Sequence, residues 1–332
     1  MSRNNGILLC LLAVLVLSVA ASCCLGASSI APQELLRAVF SGERESAAAR
    51  IFWYVRLPRL LAAILAGASL SVSGLLLQSV LRNPLAAPGV IGINSGAGTG
   101  AILCMVLFPT MARMVPFAAF CGACASAFAV YLLARMTGAS RSTIVLAGVA
   151  VNSILGACMD AVVTLVPDAV VSRSAFSIGG FANTTLQQLR FAAPLAVIAL
   201  LAAVLLRREL GVMELGDDVA HSLGLRVERF RAVFLAASAM LAGAAVSFAG
   251  LIGFVGLISP HMSRMICKND SHLQVPITAA FGAALCLICD LIARTAFAPY
   301  ELPVGIVLSF LGAPFFLYLL LTRRKRGRHD EN

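Results

Sequence analysis

Charge is what this sequence has least of. Only 12% of its 332 residues are Asp, Glu, Lys or Arg, about half of what a soluble domain of this size carries. Lysine is nearly absent: Lys268 and Lys325 are the only two, and neither stands in a G-x-x-x-x-G-K-[ST] context. A chain without that loop cannot cradle nucleotide phosphates by a P-loop. The His residues, at 221, 261, 272 and 329, are scattered and make no metal-binding cluster. No nucleophile–base constellation stands out either, so neither a catalytic residue nor a cofactor is expected.

Cysteine is present, ten times, but without a disulfide framework. Most copies lie inside apolar runs, where Cys behaves as a small hydrophobe. Cys121-x-x-Cys124 and Cys286-x-x-Cys289 have metal or redox spacing, yet their neighbours are Ala, Leu and Ile rather than further ligands. Packing is the expected role.

What fills the chain is apolar. Hydrophobic residues make up 60% of it and the mean hydropathy is +0.94. A membrane span needs roughly 20 such residues to cross about 30 Å of hydrocarbon. The runs fit about ten spans, near 7–27, 57–80, 90–109, 115–136, 142–166, 191–207, 232–252, 254–266, 275–297 and 303–321. With no water in the bilayer to satisfy the backbone, each must be a helix. The eighth is short and Pro-terminated, and is expected to enter the membrane only partly. Residues 1–27 read as an uncleaved first helix, because the apolar run from Gly6 is longer than a usual signal-peptide core.

The net charge of +10 loses its nucleic-acid look once positions are read. With both ends inside, 16 of the 25 Lys and Arg fall on the cytoplasmic side, including five in the tail over 323–332. That bias sets the orientation, and the basic tail is a topology anchor. The expected fold is therefore an all-α polytopic membrane protein with both termini cytoplasmic, and no nucleic-acid partner.

An internal repeat runs through it. Leu65-Ala66-Gly67-Ala68, Ser71 and Gly74-Leu75 recur 176 positions later as Leu241-Ala242-Gly243-Ala244, Ser247 and Gly250-Leu251, and Pro84 recurs as Pro260. Inverted-topology repeats of membrane length are a transporter signature. Repeat one is placed over about 56–166 and repeat two over about 232–322, within a single transmembrane domain. Gly92, Gly96 and Gly100 fall at four-residue spacing, which lets helix backbones approach closely in lipid.

Few charges sit inside spans, where an acid costs about 2.5–3.5 kcal/mol at the bilayer centre on insertion scales. Asp290 and Arg294 are four apart and can pair on a helix. Asp160 has no partner nearby in sequence. Two such acids keep an ion-coupled secondary carrier open as an alternative.

One polar insertion breaks the pattern: residues 207–231, RRELGVMELGDDVAHSLGLRVERFR, between spans six and seven. Asp217 and Asp218 suit a helix N-terminus, and Gly224 can end that helix. A short helix with Val219, Ala220, Leu223 and Leu225 on its apolar side would offer a compact face to a partner.

Taken together the motifs resemble the FecCD-type permease subunits of ATP-driven (ABC) importers for iron-siderophores, haem and cobalamin. They are RLPR at 56–59, Gln78 with NPLAAPGVIGINSGA over 83–97, LAG over 146–148, GDDVAHSLGL over 216–225, GLIGFVGLISPHMSR over 250–264 and ELPVGIVLSFLGAPFFLYLL over 301–320. The likeness covers nearly all of the chain after residue 50; Phe176 departs from it, at a position where such permeases often carry Trp. It implies ten helices per subunit, a second permease copy or paralogue, two cytoplasmic P-loop ATPases, and a periplasmic or surface-tethered binding protein. It implies a prokaryotic inner-membrane location and no ATPase site of its own. By the same resemblance, Gly216, Asp217, Ala220, Leu223 and Gly224 couple to the ATPase. Ser142, Asn83, Pro84 and Pro260 lie along the pathway and its gate, and Arg56, Arg59 and Arg294 meet acids on the binding protein.

Overall fold

A computed structural model describes residues 3–26, 31–34, 37, 46–137, 141–167, 169–267 and 271–327. Lys268 and the last five residues of the basic tail lie outside them. The main elements are α1 (Arg3–Cys24), α2 (Ala47–Leu81), α3 (Ile93–Leu107), α4 (Val115–Met136), α5 (Arg141–Leu165), α6 (Ala169–Ile178), α7 (Leu186–Leu205), α8 (Arg207–Glu214), α9 (Asp217–Ser222), α10 (Val227–Ala249), α11 (Val255–Cys267), α12 (Ser271–Thr295) and α13 (Val304–Gly327). No strand occurs among the described residues. Each of the ten apolar segments expected from hydropathy is a helix. Seven of the helices are long and apolar enough to cross a membrane, while α3, α6 and the apolar part of α13 are shorter.

The bundle is built around α2 and α10, the most buried of the membrane-length helices. α2 packs on α10, α11 and α12; α3 packs on α4, and α4 on α10. Small residues make these approaches possible. A Cβ added at Gly74 would stand 2.0 Å from the Gly256 carbonyl oxygen, and one at Gly67 would stand 2.3 Å from that of Gly282. The expected packing role of Gly96 and Gly100 holds: a Cβ on either would sit 2.3 Å from a backbone oxygen of α4. In the core the Ser73 and Ser238 hydroxyls meet at 2.7 Å.

α2 differs from expectation at its start. The helix begins ten residues before Leu57 and passes through a wide π turn over Phe52–Arg56. Arg56 and Arg59 therefore flank Pro58 inside continuous helix rather than a turn. Pro58 follows the π turn directly, at the first helical positions of the next segment, where its missing N–H costs least.

The two repeat copies diverge locally. α2 continues through residues 74–78, whereas the matching stretch 250–254 unwinds between α10 and α11, with Gly250 at φ +69° and Phe254 at φ +65°. Pro84 consequently lies in the loop after α2, and Pro260 lies inside α11. The C-terminal end of α2 sits beside the start of α10: Arg82 abuts Gly216, and Asp217 pairs with Arg231. The two helices thus run in opposite directions.

Candidate functional site

Polar chemistry gathers at the two ends of the bundle. At one end lies the insertion, where Gly216 separates α8 from the expected short helix starting at Asp217, α9. Gly216 has φ +120°, and the Arg82 guanidinium comes within 3.0 Å of where a Cβ would stand. A side chain there would strain the backbone and meet a cation. Glu214, just before the break, accepts from Ser79 of α2 at 2.6 Å and from Arg264 of α11 at 3.4 Å. Arg264 also donates to Gln78 at 2.5 Å, whose amide in turn donates to the Gly256 carbonyl at 3.1 Å. Sequence reading did not find this chain of contacts. Its signal was Arg264, a cation on an apolar helix with no acid of its own nearby.

Asp217, just after the break, accepts from Arg141 at 2.6 Å and from Arg231 at 2.9 Å. Ala220 is fully buried beneath α9, while Val219 and Leu223 face outward, 46% and 63% exposed. The expected single apolar side is thus divided between the bundle and the surface. Gly224 ends the helix at φ +81°, with open space around it. There the Gly224 N–H donates to the His221 carbonyl, and the Leu225 N–H donates to that of Ala220. This is the left-handed helix ending expected of it.

The Asn83–Gly92 loop follows α2 at the same end. The Asn83 side chain accepts from the Leu85 N–H at 2.9 Å. Asn152 of α5 donates to Gly89 at 2.7 Å and accepts from Ser95 at 2.6 Å, tying the loop and α3 to α5. Pro84 lines a cavity of about 460 Å³ with Gln78, Glu214, His261 and Arg264. Pro260 is buried in α11, and Ser142 is exposed at the first turn of α5. Along α5 the outward stripe continues through Leu146, Val149, Ser153, Ala157 and Asp160. Asp160 pairs with Arg173 of α6 at 2.6 Å.

At the opposite end, Arg59 donates to Asp290 through Nε at 3.0 Å and to Glu301 through NH1 at 2.6 Å. Arg294 reaches Asp290 at 3.6 Å, the expected pair, and also donates to the Ser22 hydroxyl at 2.5 Å. Arg56 donates to the Cys23 carbonyl of α1. All three guanidiniums are buried. Continuous helix before Pro58 turns Arg56 and Arg59 inward, against α1 and α12. Glu301 is the accessible member, its side chain 36% exposed, and with Arg59 it borders a cavity of about 760 Å³.

A family model, the FecCD transport family, matches residues 12–322. The chain belongs to that family. The achromobactin transport system permease protein of Dickeya dadantii is 39% identical over 320 residues, covering 96% of this chain and 90% of that one. The hemin transport system permease protein of Yersinia pestis is 36% identical over 331 residues, covering 97% of this chain and 96% of that one. A solved structure described as an inward-facing conformation of a metal-chelate type ABC transporter superposes with a TM-score of 0.86 at 26% identity. The match covers 96% of this chain and 99% of that one.

Proposed function

We propose that this chain is the membrane permease of an ATP-driven importer, moving an iron chelate that a binding protein delivers. Ferric siderophore is the first candidate cargo, ahead of haem and cobalamin. Family membership carries the importer class. The observation that carries the ATP-driven part is the insertion: two short helices anchored inward by Glu214 and Asp217, with Val219 and Leu223 left facing out. That is the form of a surface made to be gripped by another subunit. We assign it to a cytoplasmic P-loop ATPase, which supplies the nucleotide site this sequence lacks.

The outward face of α5 supports a second permease copy or paralogue. Ser142, Ser153 and Asp160 lie along a stripe of membrane length, and polar groups there belong against protein or a water-filled path rather than lipid. Between two such faces, with the Asn83–Pro84 loop and Pro260 behind them, we place the pathway, and Ser142 at its inner gate. Placing the insertion in the cytoplasm puts the start of α1 and the end of α13 there too. Arg59, Asp290 and Glu301 then lie at the outer rim. Arg56, Arg59 and Arg294 brace that rim, and a carboxylate of the binding protein reaches Arg59 by exchanging with Glu301. The protein resides in a prokaryotic cytoplasmic membrane.

The cargo is tested on the cognate binding protein. Titrating it with ferric siderophores, haem and cobalamin, and repeating uptake in cells lacking this chain, identifies the ligand. Retention of ferric siderophore and loss of its uptake are expected. Unaltered uptake of every ligand the binding protein retains would contradict the assignment.

A further inference from the structure

One carboxylate joins three helices. Asp217 opens α9, Arg141 is the first residue of α5, and Arg231 stands near the start of α10. Each Asp217 oxygen takes one guanidinium, Oδ1 that of Arg141 and Oδ2 that of Arg231. The two cations differ in setting: Arg231 is 4% exposed, inside the central helix α10, whereas Arg141 is about a quarter exposed. Their helices differ too. α10 is buried along most of its apolar length, and α5 is the least buried of the long helices after α1.

The other half of the insertion is held elsewhere. Glu214 fixes α8 to the ends of α2 and α11. Between Glu214 and Asp217 lies Gly216 at φ +120°, a backbone state that separates the orientations of α8 and α9. So α8 is anchored to α2 and α11, while α9 turns off at Gly216, rests on the bundle through Ala220 and Arg231, and is tied to α5 through Arg141.

We infer that the Asp217–Arg141 ion pair is the linkage by which displacement of α9 is passed to α5, with Arg231 as the fixed pivot. This rests on the importer reading, in which α9 is the element the ATPase moves. The pair lies directly beside Ser142, so a small swing of the carboxylate about Arg231 acts at the end of α5 that bears the gate. A charge-assisted contact suits this task because it transmits force in one geometry and weakens steeply when its partner withdraws.

The test uses the complete complex of permease, ATPase and binding protein in proteoliposomes. Radio-iron-labelled ferric citrate or ferric hydroxamate is the probe, whichever the binding protein retains. For Arg141→Gln we expect ATPase co-purification and hydrolysis to persist while iron delivered per ATP falls about ten-fold, within the usual range of coupling between sites. Arg141→Lys, which keeps the cation, should recover most of the delivery and show that folding is not at issue. Asp217→Asn combined with Arg141→Gln should lose no more delivery per ATP than Arg141→Gln alone, since both remove one linkage. Wild-type delivery per ATP in Arg141→Gln would overturn the inference. So would loss of the ATPase from that variant, which would make the pair a mere brace for the docking surface. If the unsubstituted complex shows no ATP-driven uptake, the importer reading falls and the linkage falls with it.

Discussion

Arg59 and Asp290 lie 231 residues apart and meet at 3.0 Å inside the protein. Asp290 is 1% exposed and faces two cations, Arg59 and Arg294, while Glu301 takes the other edge of Arg59. This cluster holds α1, α2, α12 and the start of α13 together at one end. Removing its centre leaves two buried guanidiniums without their shared partner. We expect Asp290→Ala to cost about 3–5 kcal/mol, as breaking a buried ion pair by removing one side does. Thermal unfolding in detergent should show a large loss for Asp290→Ala and a small one for Glu301→Gln.

Burial of Arg59 also changes how docking should be tested. Replacing it with Glu would set a third carboxylate against Asp290 and Glu301, so a failed complex would report misfolding. Glu301→Gln is the cleaner variant. If a partner carboxylate must displace Glu301, its neutralisation should tighten binding-protein affinity several-fold, through loss of like-charge repulsion. Titration of the binding protein onto nanodiscs of each variant measures this. Weakened binding would show that Glu301 itself is part of the contact.

Close helix packing gives a second stability prediction. Gly74→Ala drives a methyl into the Gly256 carbonyl region, while Gly156 has nothing within 4 Å. Overpacking of this kind costs about 1–3 kcal/mol. Gly74→Ala should therefore lower the unfolding temperature and the yield of monodisperse protein, with Gly156→Ala close to wild type.

At the insertion, Gly224→Val tests the backbone alone, because φ is +81° and no neighbour obstructs a side chain. A β-branched residue resists that conformation, at a cost of order 1–3 kcal/mol. Membrane insertion should be normal, and ATPase co-purification reduced. Gly224→Asn, which tolerates left-handed backbone, should retain most of it.

Local patterns made much of this fold legible. The ten apolar runs, the small-residue spacing at Gly96 and Gly100, the Asp290–Arg294 pair and the Gly224 helix ending are all written in short windows of sequence. The rest depends on which helices meet. Nothing near Arg59 points to Asp290 or Glu301, and nothing before Asp160 points to Arg173 across the α5–α6 turn. The π turn ahead of Pro58 was missed because proline at a span start usually marks the helix boundary. The helix start at Asp217 was legible, but not α8 before it, because Asp217 and Asp218 suit a helix start whether or not another helix precedes them. The repeat was visible, but not that its second copy unwinds at Gly250 while the first stays helical at Gly74.

The central claim is that transport through this chain is driven by ATP hydrolysed in a partner. The most direct measurement is ligand uptake and phosphate release in proteoliposomes holding the chain alone, or the chain with its P-loop ATPase and binding protein. The account predicts no hydrolysis and no uptake from the chain alone, and ATP-dependent accumulation from the complex. Uptake by the chain alone, driven by a proton or sodium gradient without nucleotide, would contradict it.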